Sequence, residues 1–271
     1  MHEKLMRLKK YFEQLGSVAI AFSSGVDSTF LLAVAFEVLG DKAIAVTVQS
    51  KTYPARERNE AITFCRERGI PHDIVQTSEL DIPGFRDNPP NRCYLCKQHI
   101  FTIIREDALK HGITNIAEGS NMDDLGDYRP GLQATAEMGV LSPLREVCLY
   151  KSEIRALSKE MGLPTWSKPS FACLSSRFAY GERIDEKRLE MVEKAEDALL
   201  SLHILQYRVR IHGTIARIEV APQDFQKVID HAAWINETLR NIGFSYVTLD
   251  LGGYRMGSMN DTLKKNSGSE D

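Results

Sequence analysis

The 271-residue chain has no surplus of positive charge: 34 lysines and arginines stand against 37 acidic residues, a net charge of −3. A protein that coats nucleic acid needs a large basic excess to displace counterions, so nucleic acid is not an expected partner. Nor is there a long hydrophobic run. The most apolar stretch, residues 30–48, is interrupted by Glu37, Gly40, Asp41 and Lys42, whereas a helix crossing a bilayer needs about 20 consecutive apolar residues. No membrane association is expected. Residues 1–10 are charged throughout and lack the apolar core of a signal peptide, so the expected location is cytoplasmic. The cysteines do not make an even set either. There are five, and Cys93 and Cys96 form a Cys-x-x-Cys pair. In a reducing compartment that spacing serves metal or redox chemistry rather than a disulfide framework. What is present, 43% apolar and 26% charged residues, is the profile of a globular chain. It excludes disorder, collagen and coiled coil as descriptions of the whole.

The first half alternates strand and helix signals. Leu5, Leu8, Phe12 and Leu15 recur at helical spacing across 1–15, which Gly16 closes. Short apolar runs at 17–22, 43–48, 72–76 and 115–118 read as buried strands. Between them, 28–39, 54–68 and 93–111 read as helices, the second with proline at its start and Gly69 after its end. Strands separated by crossover helices predict an α/β fold: a parallel sheet with helices on both faces. The second half changes character. Helices at 152–161, 185–202 and 225–242 and strands at 206–211, 215–220 and 245–251 predict a smaller α+β unit. The expected domains are 1–165 and 166–262, followed by a polar tail, 263–271, expected to be mobile.

Residues 19–28 read Ala-Ile-Ala-Phe-Ser-Ser-Gly-Val-Asp-Ser. An apolar strand runs into a small-residue turn and a helix follows at once. Small side chains let backbone N–H groups approach an anion, and the helix N-terminus adds unpaired donors and a favourable dipole. No Gly-Lys-Ser/Thr is present, so this is not a Walker A loop. The turn resembles the pyrophosphate loop, Ser-Gly-Gly-x-Asp-Ser, of the adenylating ATP pyrophosphatases, with Ser24 in place of the first glycine. The resemblance implies ATP, with Ser23, Ser24, Gly25, Asp27 and Ser28 around the pyrophosphate and Asp27 near Mg²⁺. Read without it, Gly25 serves a turn and Asp27 or Ser28 is an ordinary N-cap. A second segment, 118–131, reads Glu-Gly-Ser-Asn-Met-Asp-Asp-Leu-Gly-Asp-Tyr-Arg-Pro-Gly. It begins where a parallel strand should end, the edge at which open α/β sheets bind ligands. Asp127 and Arg129 are its candidates for Mg²⁺ and phosphate, although the same composition suits a solvated turn.

Four segments then fall in one order: Asp-Tyr-Arg-Pro-Gly at 127–131, Ser-Ser-Arg-Phe-Ala-Tyr-Gly at 175–181, Ala-Arg-Ile-Glu at 216–219 and Leu-Asp-Leu-Gly-Gly-Tyr-Arg at 249–255. That order resembles the LarE family of sulfur transferases, which build the nickel-pincer nucleotide cofactor. The resemblance runs from about residue 15 to residue 262. It implies an ATP-dependent enzyme that adenylates a carboxylate of pyridinium-3,5-biscarboxylic acid mononucleotide and converts it to a thiocarboxylate, releasing AMP and pyrophosphate. It also implies a homo-oligomer. Splitting one hard substitution into two easier ones is the usual gain of such activation.

In a second branch of the family, and in related tRNA-thiolating pyrophosphatases, three cysteines hold a [4Fe–4S] cluster with one iron left open to receive sulfide from a donor. By that resemblance Cys93, Cys96 and Cys173 are the ligands, and Lys97 and Arg177 complete the expected catalytic set. Ser176, Arg177, Glu196, Arg208 and Arg210 match family positions around the substrate. Arg208 and Arg210 stand two apart on an expected strand and so share a face, and arginine suits an anionic substrate. Alternatives stay open. Cys93, Cys96, Cys173 and His99 would make a tetrahedral structural zinc site, in a zinc-stabilised nucleotide-binding module without catalysis. The same ATP chemistry would serve thiolation of a tRNA base. Arg208, Arg210 and Glu196 would also suit ordinary solvated faces. Cys65 and Cys148 read as inert buried thiols.

Overall fold

A computed structural model describes residues 1–125, 130–255 and 257. Asp127, Arg129 and the tail at 263–271 lie outside the described residues. The chain forms two compact units. The first is Met1–Ile82 with Asn91–Phe171, and the second is Pro83–Pro90 with the chain from Ala172 onward.

The first unit runs α1 (His2–Leu15), β1 (Val18–Ala21), α2 (Val26–Leu39), β2 (Ala43–Gln49), α3 (Ala55–Arg68), β3 (His72–Gln76), α4 (Arg92–Lys110), β4 (Ile116–Ala117), α5 (Pro130–Glu137), α6 (Pro143–Glu146) and α7 (Lys151–Glu160). The strands pair in the order β3-β2-β1-β4, every pair parallel. An isolated parallel bridge from Ala117 to Leu141 extends the sheet past β4. Alternation along each strand sorts its side chains onto two faces. Val18, Ile20, Ala43 and Ala45 pack with Leu8, Phe12, Phe30 and Ile154 of α1, α2 and α7. Ala19, Ile44, Val46 and Ile116 pack with Phe101 and Ile104 of α4. Burial on both faces is why these strands read as continuous apolar runs, each large aliphatic contributing roughly 1.5–3 kcal/mol. The α/β fold expected from the sequence is present, with two short additions, α5 and α6, that no periodicity announced.

The second unit runs α8 (Glu186–Ser201), β5 (Tyr207–His212), β6 (Ile215–Val220), α9 (Phe225–Asp230), α10 (Ala232–Ile242) and β7 (Tyr246–Leu249). β5 and β6 are antiparallel around Gly213 at φ +58°, and β6 and β7 are parallel. Leu189, Val192, Ala195 and Leu199 recur at spacings of three and four and form the buried stripe of α8. The single helix expected over 225–242 divides at His231, whose ψ of 13° leaves the helical range. Residues 83–90 join this unit through the fully buried Asn88. Its Nδ2 donates to the carbonyls of Phe178 (3.3 Å) and Ala179 (2.6 Å). Its own carbonyl accepts the Gly181 N–H, and the Arg86 carbonyl accepts that of Ile184.

Candidate active site

β1 ends at Ala21 and α2 begins at Val26, two residues earlier than expected, with Gly25 as its N-cap at φ −75° and ψ 166°. Asp27 and Ser28 therefore lie inside the first turn rather than at the cap. The Ser23 N–H donates to Ser28 Oγ at 3.4 Å, the two hydroxyls are 3.1 Å apart, and Ser28 Oγ donates to the Gly25 carbonyl at 3.3 Å. Ser23, Gly25 and Ser28 thus close one small turn at the N-terminus of a mostly buried helix, a geometry suited to an anion. Gly119, which follows β4, passes close by. A Cβ there would stand 3.0 Å from the Ser28 nitrogen and 3.2 Å from Asp27 Cβ. Ser24 is buried and bonded to Glu57 and Lys168. Gly119, Glu57 and Lys168 carry no motif of their own, and sequence reasoning missed them. For Gly119, its place directly after a strand was the one available signal.

Asp27 has two different oxygens. Oδ2 pairs with Lys151 at the head of α7, a partner the sequence did not suggest. Oδ1 is buried and has no hydrogen-bond partner among the described residues. Burial raises the Asp27 carboxyl above its ordinary range, with the Lys151 charge opposing. An orphaned carboxylate oxygen beside a phosphate turn fits an oxygen ligand for Mg²⁺.

Cys93 and Cys96 lie near the start of α4, three residues apart and so on one face, both half-buried. Arg92 Nη2 is 3.9 Å from Cys93 Sγ. Gly131 keeps the next segment close to them: a Cβ there would be 3.3 Å from Lys97 Cγ and 3.8 Å from Cys93 Cβ. Lys97 Nζ stands 3.9 Å from Glu118 Oε2 and 4.8 Å from the centre of the Phe101 ring. Glu118 sits at the carboxyl end of β4, buried, and accepts from the Ser120 N–H (3.1 Å), Ser120 Oγ (2.8 Å) and Ser142 Oγ (2.9 Å). Two thiols one helical turn apart fit a soft metal or a cluster edge. His99, the fourth ligand of the zinc alternative, has its Nε2 in a 2.7 Å hydrogen bond with Thr77 Oγ1, so ligation through that nitrogen would break it.

In the second unit Cys173 precedes the short turn Leu174–Arg177. Arg177 is 0% exposed. Its guanidinium is bidentate on Glu196 (2.7 and 2.9 Å) and donates to the carbonyls of Ala172 (2.8 Å) and Cys173 (3.2 Å) and to Ser176 Oγ (2.7 Å). Burial alone would raise the Glu196 carboxyl, but Arg177 holds it below the ordinary carboxylate range. Glu196 also accepts the Val209 N–H at 3.0 Å. Arg210 is bidentate on Glu219 (3.1 and 3.0 Å) and donates to the Ser176 carbonyl at 2.6 Å. Arg208 donates to the Tyr207 carbonyl and lies 5.1 Å from the centre of the Tyr254 ring. Burial first, and the Arg177 charge second, lower the Arg208 guanidinium to about 10. Neither solvated-face alternative survives: Glu196 is 0%, Arg208 6% and Arg210 5% exposed. Of the two remaining thiols, Cys65 is buried, and that burial pushes it up to about 12. Cys148, expected to be buried, is instead exposed; it sits in a left-handed turn at φ +57° between α6 and α7.

A parallel sheet with a small-residue turn at the carboxyl end of β1, run straight into a helix, agrees with the class its relatives give: this is an enzyme of the ATP-utilising PP-loop superfamily. No family model matches the chain. It is 37% identical over 254 residues to the pyridinium-3,5-bisthiocarboxylic acid mononucleotide synthase of Lactiplantibacillus plantarum, covering 93% of this chain and 92% of that one. It is 42% identical over 267 residues to an uncharacterized protein of Synechocystis sp., covering 98% and 100%. A glutamine-hydrolyzing GMP synthase of Aliarcobacter butzleri is 27% identical over 225 residues, which is 74% of this chain but 43% of that protein. The chain belongs to the LarE family of PP-loop enzymes.

Proposed function

We propose that the chain is an ATP-dependent sulfur transferase that converts a carboxylate of pyridinium-3,5-biscarboxylic acid mononucleotide to a thiocarboxylate. One observation carries the reading: identity to the Lactiplantibacillus synthase across nearly the whole of both chains. A substrate carboxylate oxygen attacks the α-phosphorus of ATP, and pyrophosphate leaves with the bridging oxygen. Hydrosulfide then attacks the activated carbonyl carbon, the carbon–oxygen bond breaks and AMP departs, leaving the thiocarboxylate and a proton. Ser23, Gly25 and Ser28 hold the pyrophosphate, and Asp27 holds Mg²⁺, with Asp127 and Arg129 serving the same end of the nucleotide. Lys97 offers an ammonium, 38% exposed, beside the carboxyl end of β4. Arg208 and Arg210 take the anionic groups of the substrate. A guanidinium whose charged form is already disfavoured by burial gains most from an anion beside it. Arg177 and Glu196 act one step back, holding the Cys173 loop and β5 without touching substrate.

In this reading Cys93, Cys96 and Cys173 would hold a [4Fe–4S] cluster, which would supply the sulfide for the second step. The enzyme works in the cytoplasm as a homo-oligomer. No helix among the described residues is long and apolar enough to cross a membrane. Anaerobic purification followed by incubation with ATP, Mg²⁺, sulfide and the dicarboxylate nucleotide tests the reading. AMP, pyrophosphate and thiocarboxylate are expected, with about four iron and four sulfide per chain. Zinc without sulfide sinks the cluster, and a thiolated tRNA nucleoside without thiocarboxylate sinks the substrate. Cys93→Ala, Cys96→Ala and Cys173→Ala should each abolish sulfur transfer and leave ATP binding intact, and activity in any one of them removes that ligand from the set.

A further inference from the structure

Ser24 stands where the pyrophosphate-loop pattern has a glycine. Its φ is +50°, in the left-handed region that glycine enters freely and serine does not. The residue is 1% exposed. Its hydroxyl donates to the Glu57 carbonyl at 3.0 Å, with Glu57 Oε2 3.2 Å away. Lys168 Nζ donates to the Ser24 carbonyl at 3.2 Å and to Glu57 Oε2 at 2.7 Å, and it reaches Ser24 Oγ and Glu60 as well. Both polar ends of Ser24 are therefore held, by the first turn of α3 and by Lys168. Glu57 is 3% exposed, so water screens this network little.

A trans peptide unit holds the carbonyl of one residue and the N–H of the next in one plane, pointing in opposite directions. Holding the Ser24 carbonyl against Lys168 therefore sets the direction of the Gly25 N–H at the N-cap of α2. We propose that Ser24 is a positioning residue: with Glu57 and Lys168 it clamps the 24–25 peptide, so that the Gly25 N–H is aimed at the pyrophosphate of ATP before the nucleotide arrives. The inference rests on the ATP reading of this turn and deepens it. The serine hydroxyl is assigned to a tether within the protein and not to the phosphate. A glycine would reach the same φ without strain but would leave the loop to be ordered by the ligand, a cost taken from affinity.

The test compares the full-length wild type with Ser24→Ala, Ser24→Gly, Glu57→Gln and the double variant Ser24→Ala/Glu57→Gln. Mg²⁺–ATP affinity is measured by calorimetry, KM and kcat by AMP formation, and folding by thermal melting. Each single variant should bind ATP about tenfold more weakly, with KM raised more than kcat is lowered, and the double variant should lose no more than the worse single one, because both break one tether. Additive losses, or a lower melting temperature with unchanged ATP affinity, would reduce Ser24 to a packing residue and overturn the inference. Ser24→Gly keeps the question decidable if alanine at φ +50° disturbs folding. Wild-type ATP binding with unchanged variants overturns the tether alone. No ATP binding by the wild type overturns the nucleotide reading and this inference together.

Discussion

A single methyl group at Gly119 would meet backbone on α2, not the far end of a flexible side chain. Overpacking of that kind typically costs about 1–3 kcal/mol, and here it falls on the start of α2, which the ATP reading assigns to the pyrophosphate. Gly119→Ala should therefore weaken ATP binding about tenfold, more than it lowers thermal stability, since the strain converts to affinity at 1.4 kcal/mol per decade. Calorimetric titration decides it, and unchanged affinity would show that the approach of β4 does not shape the turn. Asp27 gives a second test at this scale. Burial raises its carboxyl, so the proton competes for the oxygens that would take Mg²⁺. The sign follows: Mg²⁺ affinity holds while the pH stays above that raised value, falls as the pH drops through it, and binding in that window releases a proton. Titration of Mg²⁺ at descending pH should show the fall, and Asp27→Asn should abolish it. A flat profile in the wild type would separate Asp27 from the cation.

Among the elements, Glu196 joins α8 to the turn Leu174–Arg177 through its pair with Arg177, both fully buried, and to β5 through the Val209 N–H on the same carboxylate. Removing one partner of a buried pair costs about 3–5 kcal/mol, because the other is left as an uncompensated charge. Glu196→Ala should therefore lower the melting temperature markedly, by an amount set by the loss of about 3–5 kcal/mol. The folded-state carboxyl lies below its ordinary value, so its contribution is present at neutral pH and lost as the pH falls through the folded value. The stability of Glu196→Ala should accordingly be flatter in acid than that of the wild type. Parallel melting curves for the two proteins across acid pH would remove Glu196 from the account. The sequence made part of this legible. Period-two spacing placed Arg208 and Arg210 on one face, and helical spacing gave α8 its stripe. Burial was not legible, because the carboxylates near these arginines come from other elements: Glu219 of β6, which pairs with Arg210, and Glu196 of α8, whose charge acts on Arg208. The turn between β1 and α2 was visible in its small residues. Its first helical residue was misplaced, because Asp27 and Ser28 have the chemistry of N-caps while Gly25 holds the cap. The break at His231 had no proline or glycine to announce it.

For the molecule as a whole, the second unit is not continuous in the chain: residues 83–90 belong to it, held by Asn88 at φ +51°. Asparagine tolerates that backbone and satisfies two carbonyls at once. Asn88→Ala strains the turn and leaves both carbonyls without this donor, and each buried group left unsatisfied costs roughly 1–3 kcal/mol. A clear drop in thermal stability is expected, and a melting curve equal to the wild type would show that the insertion is held elsewhere. The discontinuity also sets a schedule during synthesis. Asn88 leaves the ribosome roughly ninety residues ahead of Phe178 and Ala179, the residues whose carbonyls it satisfies. At translation rates on the order of 5–20 residues per second, that is a wait of roughly 4–18 seconds. During that time the rest of the first unit is made, while an eight-residue stretch in its middle has nothing to fold onto and stays open to chaperones or proteases until the second unit emerges.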